Sequence, residues 1–240
     1  VTSVVLLAGG QGTRLRALSA GVPKPMIPVA GRPFVEWMLD YFASQGVDHA
    51  VLSIGHLAEV AERHFAGRPG VHCVREIQPL GTGGAVRFAA EHAPVSDPFF
   101  VANADSLVMA ELGGLRRALE DAATSGALLA VAVPDASRFG ALDVDVHGWL
   151  RGFHEKRPGA GLINAGVYLF RRRLLAQFPA GAPLSLEQDV FPALLAVGER
   201  LRVVPVAADF LDIGTPESFA LAEEFIRRHF PAAAAPLAQS

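Results

Sequence analysis

The chain has 240 residues, 51% of them hydrophobic, and a formal net charge of −3. That is enough apolar material for one large α/β domain with a single core, and it excludes a disordered chain. The mildly acidic balance excludes a general attraction to nucleic acid or to an anionic membrane, so any phosphate must be held by a local group of cations.

The first predicted element is a short buried strand at 3–8. It runs into Leu7-Ala-Gly-Gly-Gln-Gly-Thr-Arg-Leu15, and Pro23-Lys24-Pro25 follows. Gly9, Gly10 and Gly12 bare the backbone, so N–H groups can point at phosphate oxygens. Arg14 and Lys24 bring two positive charges to the same loop. A backbone cradle with fixed cations is what a triphosphate needs. A P-loop is excluded because no lysine falls inside the loop. A dinucleotide fingerprint is excluded because Leu15 holds its third glycine position.

Further along, apolar runs at 50–55, 71–75, 99–103 and 127–133 read as strands. Amphipathic stretches at 34–44, 57–65, 84–92 and 112–124 read as the helices between them. This alternation predicts an α/β fold: a doubly wound, mostly parallel, Rossmann-like sheet with right-handed crossovers. Such sheets bind ligands at the carboxyl ends of their strands. The glycine loop and Asp105 both fall at that edge. In the second half, 141–146 and 150–154 flank His147-Gly148 and read as a hairpin. A strand follows at 163–170, then helices at 185–196 and 215–229. No linker interrupts residues 1–230, so they read as one domain with a lobe of about 1–134 and another of about 135–230. Residues 231–240 read as a frayed tail.

Cys73 is the single cysteine, which permits no disulfide within the chain and fits a reducing cytosol. It reads as a buried strand residue rather than a nucleophile. The first apolar run lacks the basic flank of a signal peptide, and no apolar run approaches the roughly 18 residues of a membrane span. The expected location is the cytoplasm.

The loop at 7–15 with Pro23-Lys24-Pro25 resembles the signature of the sugar-phosphate nucleotidylyltransferases, or sugar nucleotide pyrophosphorylases. The likeness continues through Pro79-Leu-Gly-Thr-Gly-Gly-Ala85, Asn103-Ala-Asp105, Phe153-His-Glu-Lys156, Asn164-Ala-Gly166 and Asp212-Ile-Gly-Thr-Pro216. These motifs cover nearly the whole chain in the family's order. Chain size, the loop at 79–85 and the closing Asp-Ile-Gly-Thr-Pro are most similar to the heptose 1-phosphate guanylyltransferase branch.

The resemblance implies a nucleotidyltransferase sheet with a smaller sugar-binding lobe. It implies transfer of a nucleoside monophosphate from a triphosphate, GTP favoured, to a sugar 1-phosphate, D-glycero-α-D-manno-heptose 1-phosphate favoured. Mannose, glucose or N-acetylmuramate 1-phosphate with GTP, UTP or dTTP stay open. A non-catalytic subunit that binds nucleotide sugars stays open too, although Arg14, Lys24, Asp105 and Asp212 are all present. The implied partners are the triphosphate and the sugar phosphate, with no nucleic acid and no membrane; a homo-oligomer is left open.

The attacking phosphate oxygen is already anionic, so the work is positioning and charge neutralisation. Arg14 suits the outgoing β- and γ-phosphates with its planar fork, and Lys24 the region of the α-phosphorus. The resemblance assigns Asp105 and Asp212 to a magnesium ion, a hard cation that prefers carboxylate oxygen. Leu7, Ala8, Gly9, Gly10, Gly12 and Thr13 are the expected nucleotide cradle, completed by Gln78, Gly81, Thr82 and Asn103. Gly81, Gly83 and Gly84 would let the chain lie flat against the base. Gln78 offers the base a donor beside an acceptor; Glu76, two residues earlier, is the competing reader. On the sugar side the resemblance points to Glu155, Lys156, Asn164 and Gly166, with Glu187 added from the start of the next helix. Lys156 would take the phosphate, and Glu155 and Asn164 the hydroxyls.

Overall fold

The computed structural model describes residues 1–10, 12, 15, 21–137, 141–153, 159–179 and 183–231. Its strands are β1 (Ser3–Ala8), β2 (Pro28–Val29), β3 (Arg32–Pro33), β4 (His49–Ile54), β5 (Val71–Arg75), β6 (Phe99–Asn103), β7 (Ser106–Val108), β8 (Gly126–Val133), β9 (Leu142–Val144), β10 (Leu150–Phe153), β11 (Gly161–Phe170), β12 (Leu201–Val206) and β13 (Phe210–Asp212). Its α-helices are α1 (Phe34–Ser44), α2 (Ala58–Phe65), α3 (Gly81–His92), α4 (Gly113–Ala118), α5 (Phe191–Ala196), α6 (Pro216–Phe219) and α7 (Ala222–His229).

Among the described residues, the central sheet has seven strands in the order β12-β8-β11-β6-β1-β4-β5. β1 pairs parallel with β4 and with β6, β4 with β5, and β12 with β8; only β11 runs antiparallel, against both β6 and β8. The expected mostly parallel sheet is what forms, and it draws strands from both sides of residue 134. β1 is central, so both of its faces are buried. Val4 and Leu6 enter one core cluster and Val5 the other, as the two-residue repeat of a strand requires.

Three differences from the sequence reading have local causes. The expected helix at 185–196 opens as a wide π-type turn at Leu186–Val190 before α5 begins. Pro192 lacks the N–H that a regular α-turn would need there. The expected helix at 215–229 is split, because the backbone of Leu221 opens to ψ −10 between α6 and α7. β12 was not anticipated because Pro205 interrupts its apolar run; as an edge strand it tolerates a missing donor. Residues 141–153 form the expected hairpin, β9 against β10. Cys73 lies half-buried on β5, and burial pushes its thiol up to about 11, which suits a structural residue. Among the described residues no helix is long and apolar enough to cross a membrane.

Candidate active site

β1 and β6 end side by side, with Leu7 paired to Asn103. Beyond them opens a cleft of about 520 Å³ at the carboxyl edge of the sheet. Leu7, Ala8, Gly9, Gly10 and Gly12 line it, as do Lys24, Gly81, Thr82, Asn103, Asp105 and Asp212. Motifs scattered along the chain thus meet at one place. The expected Thr13 and Arg14 lie outside the described residues, as do Glu155 and Lys156.

A proline-bounded turn and a two-stranded ribbon set the floor of the cleft. Pro23 is extended, and the tight turn Lys24–Met26 buries Pro25 and Met26 beneath it, which aims Lys24 inward. Its Nζ donates to Asp105 Oδ2 at 2.6 Å and stands 4.0 Å from Asp212 Oδ1. The two aspartates are brought together by a small ribbon. β7 pairs antiparallel with β13, matching Ser106 to Asp212, and Ile213 N donates to Asp105 O at 2.9 Å. Asp212 Oδ1 also accepts from Gly214 N at 2.5 Å, which fixes that carboxylate.

The side wall is Glu76 rather than Gln78. Glu76 follows β5, is 8% exposed and lines the cleft. Its Oε1 accepts from the buried Ser53 hydroxyl at 2.8 Å, and its Oε2 from Leu80 N at 3.3 Å. A β-carbon on Gly9, just after β1, would sit 2.5 Å from Glu76 Oε1, so a side chain there would force this carboxylate to shift. Gln78 is exposed and lines an adjoining hollow of about 440 Å³, which shares Gly9, Glu76 and Pro79 with the cleft and is also lined by His56 and Arg75.

The glycines that open α3 also pack closely against the segment before α5. A side chain at Gly81 would overlap the Leu184 carbonyl, and one at Gly83 would meet Val190 at 2.5 Å. Gly83 N donates to Leu184 O at 2.7 Å, and Thr82 Oγ1 accepts from Leu186 N at 2.8 Å. Their smallness admits the segment before α5. Thr82 and the start of α3 still line the cleft, with the positive end of the helix facing inward.

Asn164, Gly166 and Glu187 gather beside the cleft. Asn164 Nδ2 donates to Glu187 Oε1 at 3.1 Å, and a β-carbon on Gly166 would meet Asn103 at 2.7 Å. Tyr168, which the sequence reading passed over, joins them: its hydroxyl accepts from Asn164 Nδ2 at 2.7 Å. Its only signal in the sequence is its place four residues after Asn164 on a strand.

Residues 3–229 match the family model described as nucleotidyl transferase. The chain belongs to the nucleotidyl transferase family. Among curated relatives, a mannose-1-phosphate guanylyltransferase of Mycobacterium tuberculosis is 36% identical over 222 residues, which is 90% of this chain and 62% of the relative. A mannose-1-phosphate guanylyltransferase catalytic subunit beta of Drosophila pseudoobscura pseudoobscura is 30% identical over 91% of this chain and 60% of its own length. The chain thus spans about three fifths of the curated relatives it matches. Among solved structures, HddC of Yersinia pseudotuberculosis complexed with GMP-PN aligns with a TM-score of 0.80 at 31% identity, covering 94% of this chain and all of that one. The fold is the α/β nucleotidyltransferase sheet of this family, and the cleft lies at its carboxyl edge.

Proposed function

We propose that the chain is a sugar-1-phosphate nucleotidylyltransferase with GTP as donor. The observation that carries this reading is the meeting of Lys24, Asp105 and Asp212 at the floor of a glycine-lined cleft. A sugar 1-phosphate oxygen attacks the α-phosphorus of the triphosphate, the α–β bridging oxygen bond breaks, and pyrophosphate leaves. Two anions must approach, so the site has to supply positive charge without supplying a nucleophile. Lys24, with its side chain 12% exposed, neutralises charge at the α-phosphoryl group. Arg14 on the β- and γ-phosphates and Lys156 on the sugar phosphate are proposed from the sequence motifs.

Asp105 and Asp212 fit a hard divalent cation of the magnesium class: one carboxylate from the turn before β7 and one from the end of the paired β13, already holding an ammonium near them. Among the described residues no cluster of three or more His, Cys, Asp or Glu gathers for a metal, so the pair would leave most positions to water and phosphate oxygens, as magnesium prefers. When bound, the ion would neutralise phosphate charge. The two aspartates would hold it, and Gly214 N keeps the Asp212 carboxylate in place.

Glu76 supports guanine. Each of its oxygens accepts one protein hydrogen bond and keeps acceptor capacity for the cleft, and guanine presents two adjacent donors, N1–H and N2–H. The favoured acceptor is D-glycero-α-D-manno-heptose 1-phosphate, on the sequence motifs. Mannose 1-phosphate is the second reading, on the names of the relatives. The test is a matrix of GTP, UTP, dTTP and ATP against manno-heptose, mannose, glucose and N-acetylmuramate 1-phosphates, scored by pyrophosphate release. GTP with a manno-configured sugar is the expected optimum. A better rate with UTP, dTTP or ATP would overturn the guanylyl assignment. No release with any pair would favour the nucleotide-sugar-binding subunit.

A further inference from the structure

Asn164, Tyr168 and Glu187 form a closed hydrogen-bonded set. We infer that Asn164 and Tyr168 are positioning residues for Glu187, and that Glu187, not Asn164, accepts one sugar hydroxyl through Oε2. This rests on the proposed sugar-phosphate reading of the neighbouring cleft.

The amide orientation follows from one donor. Gly166 N donates to Asn164 at 3.1 Å, so Oδ1 must face it and Nδ2 must face the other way. Nδ2 then donates to Tyr168 Oη at 2.7 Å and to Glu187 Oε1 at 3.1 Å. Both amide hydrogens are used inside the protein, and none is left for a hydroxyl of the substrate.

Tyr168 is fully buried, stacked on Phe170 with centroids 5.5 Å apart. Its hydroxyl accepts from Asn164, so its own proton goes to Glu187 Oε1 at 3.5 Å. Burial raises this phenol well above its ordinary range, with the Glu187 charge adding to the effect, so it stays a donor. Oε1 therefore carries two donors. Oε2 accepts from Ser185 Oγ at 3.3 Å and keeps one acceptor position. Glu187 is only half-buried, and that acceptor position is the one the set leaves for a ligand.

The turn that carries Glu187 is anchored to the nucleotide cleft. Leu186 N is held by Thr82 Oγ1 at 2.8 Å, and Thr82 lines the cleft wall. Gly166, in the left-handed region at φ +70, lets the strand bulge between Asn164 and Tyr168 lie against Asn103, two residues before Asp105. The carboxylate that reads the sugar is thus locked to both sides of the reacting centre.

The test uses the whole chain and two probes, α-D-mannose 1-phosphate in turnover with GTP and GDP-mannose in calorimetry. Tyr168→Phe removes one hydroxyl and keeps the ring stack. It is expected to raise the sugar-phosphate KM and weaken GDP-mannose binding about tenfold, with the GTP KM and thermal midpoint held near wild type. Glu187→Gln is expected to lose as much, and the double variant little more. Among the 2-, 3-, 4- and 6-deoxy mannose 1-phosphates, one is expected to bind wild type and Tyr168→Phe equally, because it lacks the hydroxyl that Oε2 accepts. A purely structural tyrosine would weaken all four alike. Binding of GDP-mannose without turnover, still weakened by Tyr168→Phe, would leave this inference standing while the proposed reaction fails. It is overturned if Tyr168→Phe handles both probes as wild type does, if all deoxy sugars lose equally, or if wild type binds neither probe.

Discussion

The ammonium of Lys24 bonds to the carboxylate of Asp105 at 2.6 Å, across 81 positions of sequence. The contact joins the turn after the first strand to the loop after β6. Asp212 completes it from the far end of the chain, 4.0 Å from the same nitrogen. One ammonium against two carboxylates leaves these three groups with a net negative charge in the free protein, which suits a divalent cation. The arrangement becomes a charge-neutralising one when phosphates enter, because the lysine and a divalent ion can then divide the negative oxygens between them.

The aspartates are the first test of that arrangement. Asp105→Asn and Asp212→Asn keep the side-chain shape and remove the charge. Each is expected to abolish most turnover and to weaken Mn²⁺ binding measured by electron paramagnetic resonance, while the protein stays folded. Near wild-type rates at saturating Mg²⁺ would show that the altered residue is not a ligand.

Lys24→Ala is expected to lower kcat by roughly 10²–10³, the usual effect of removing one preorganised electrostatic group. Arg14→Ala is expected to do the same on the evidence of its motif. Steady-state kinetics separates the possibilities. A higher KM with unchanged kcat would mean that the residue binds ground state and transition state alike.

Gly9→Ala places a methyl 2.5 Å from Glu76 Oε1. The carboxylate has to move, and its bonds to Ser53 and Leu80 are strained with it. The expected result is a loss of preference for GTP over UTP with little change in the KM for the sugar phosphate. Glu76→Gln is expected to erode the same preference, since an amide cannot accept from both guanine donors. Retention of the wild-type GTP:UTP ratio in both variants would remove Glu76 from base reading.

Glu36 on α1 governs a different property. Burial alone would raise its carboxyl, but hydrogen bonds from Arg68 and His64, then the Arg68 charge and Arg32, outweigh it and hold it at about 2. A depressed carboxyl stabilises the fold above its unfolded value near 4.5 and loses that contribution as pH falls towards 2. The contribution amounts to at most about 3 kcal/mol at neutral pH. Glu36→Gln is therefore expected to lower the thermal midpoint at pH 7 by roughly 5–10 °C and to flatten its fall between pH 5 and 3. An unchanged acid limb would show that the cluster of Arg32, His64 and Arg68 around Glu36 is not the source.

Much of the scaffold was legible in residue order. Three of the strands, at Ser3–Ala8, Val71–Arg75 and Phe99–Asn103, and the helix Phe34–Ser44 have the bounds the apolar pattern predicts. Ser3–Ala8, Phe99–Asn103 and the helix are largely buried elements whose periodicity is imposed by the core, and Val71–Arg75 is an edge strand with Val74 buried. Besides β12, whose run Pro205 interrupts, and the two-residue β2 and β3, two of the unexpected strands are of another kind. β7 and β13 have three residues each, too few to show a repeat, and they exist because they pair with one another. They are also the elements that bring Asp105 and Asp212 together.

Composition, the glycine loop, the Pro-Lys-Pro turn and the order of motifs were enough to name the sheet, its ligand edge and the residue types around a phosphate. Those features are local, carried by backbone freedom, fixed φ angles and charge within a few positions. The choice of Glu76 over Gln78 as cleft wall was not local. It depended on Ser53 and Leu80 capturing one carboxylate as β4 and β5 came into register. The close contacts of Gly81 and Gly83 with Leu184 and Val190, and the ring of Asn164, Tyr168 and Glu187, arose in the same way. Hydrogen bonds and close contacts between distant segments are satisfied only after the chain has closed, so no spacing along the chain records them.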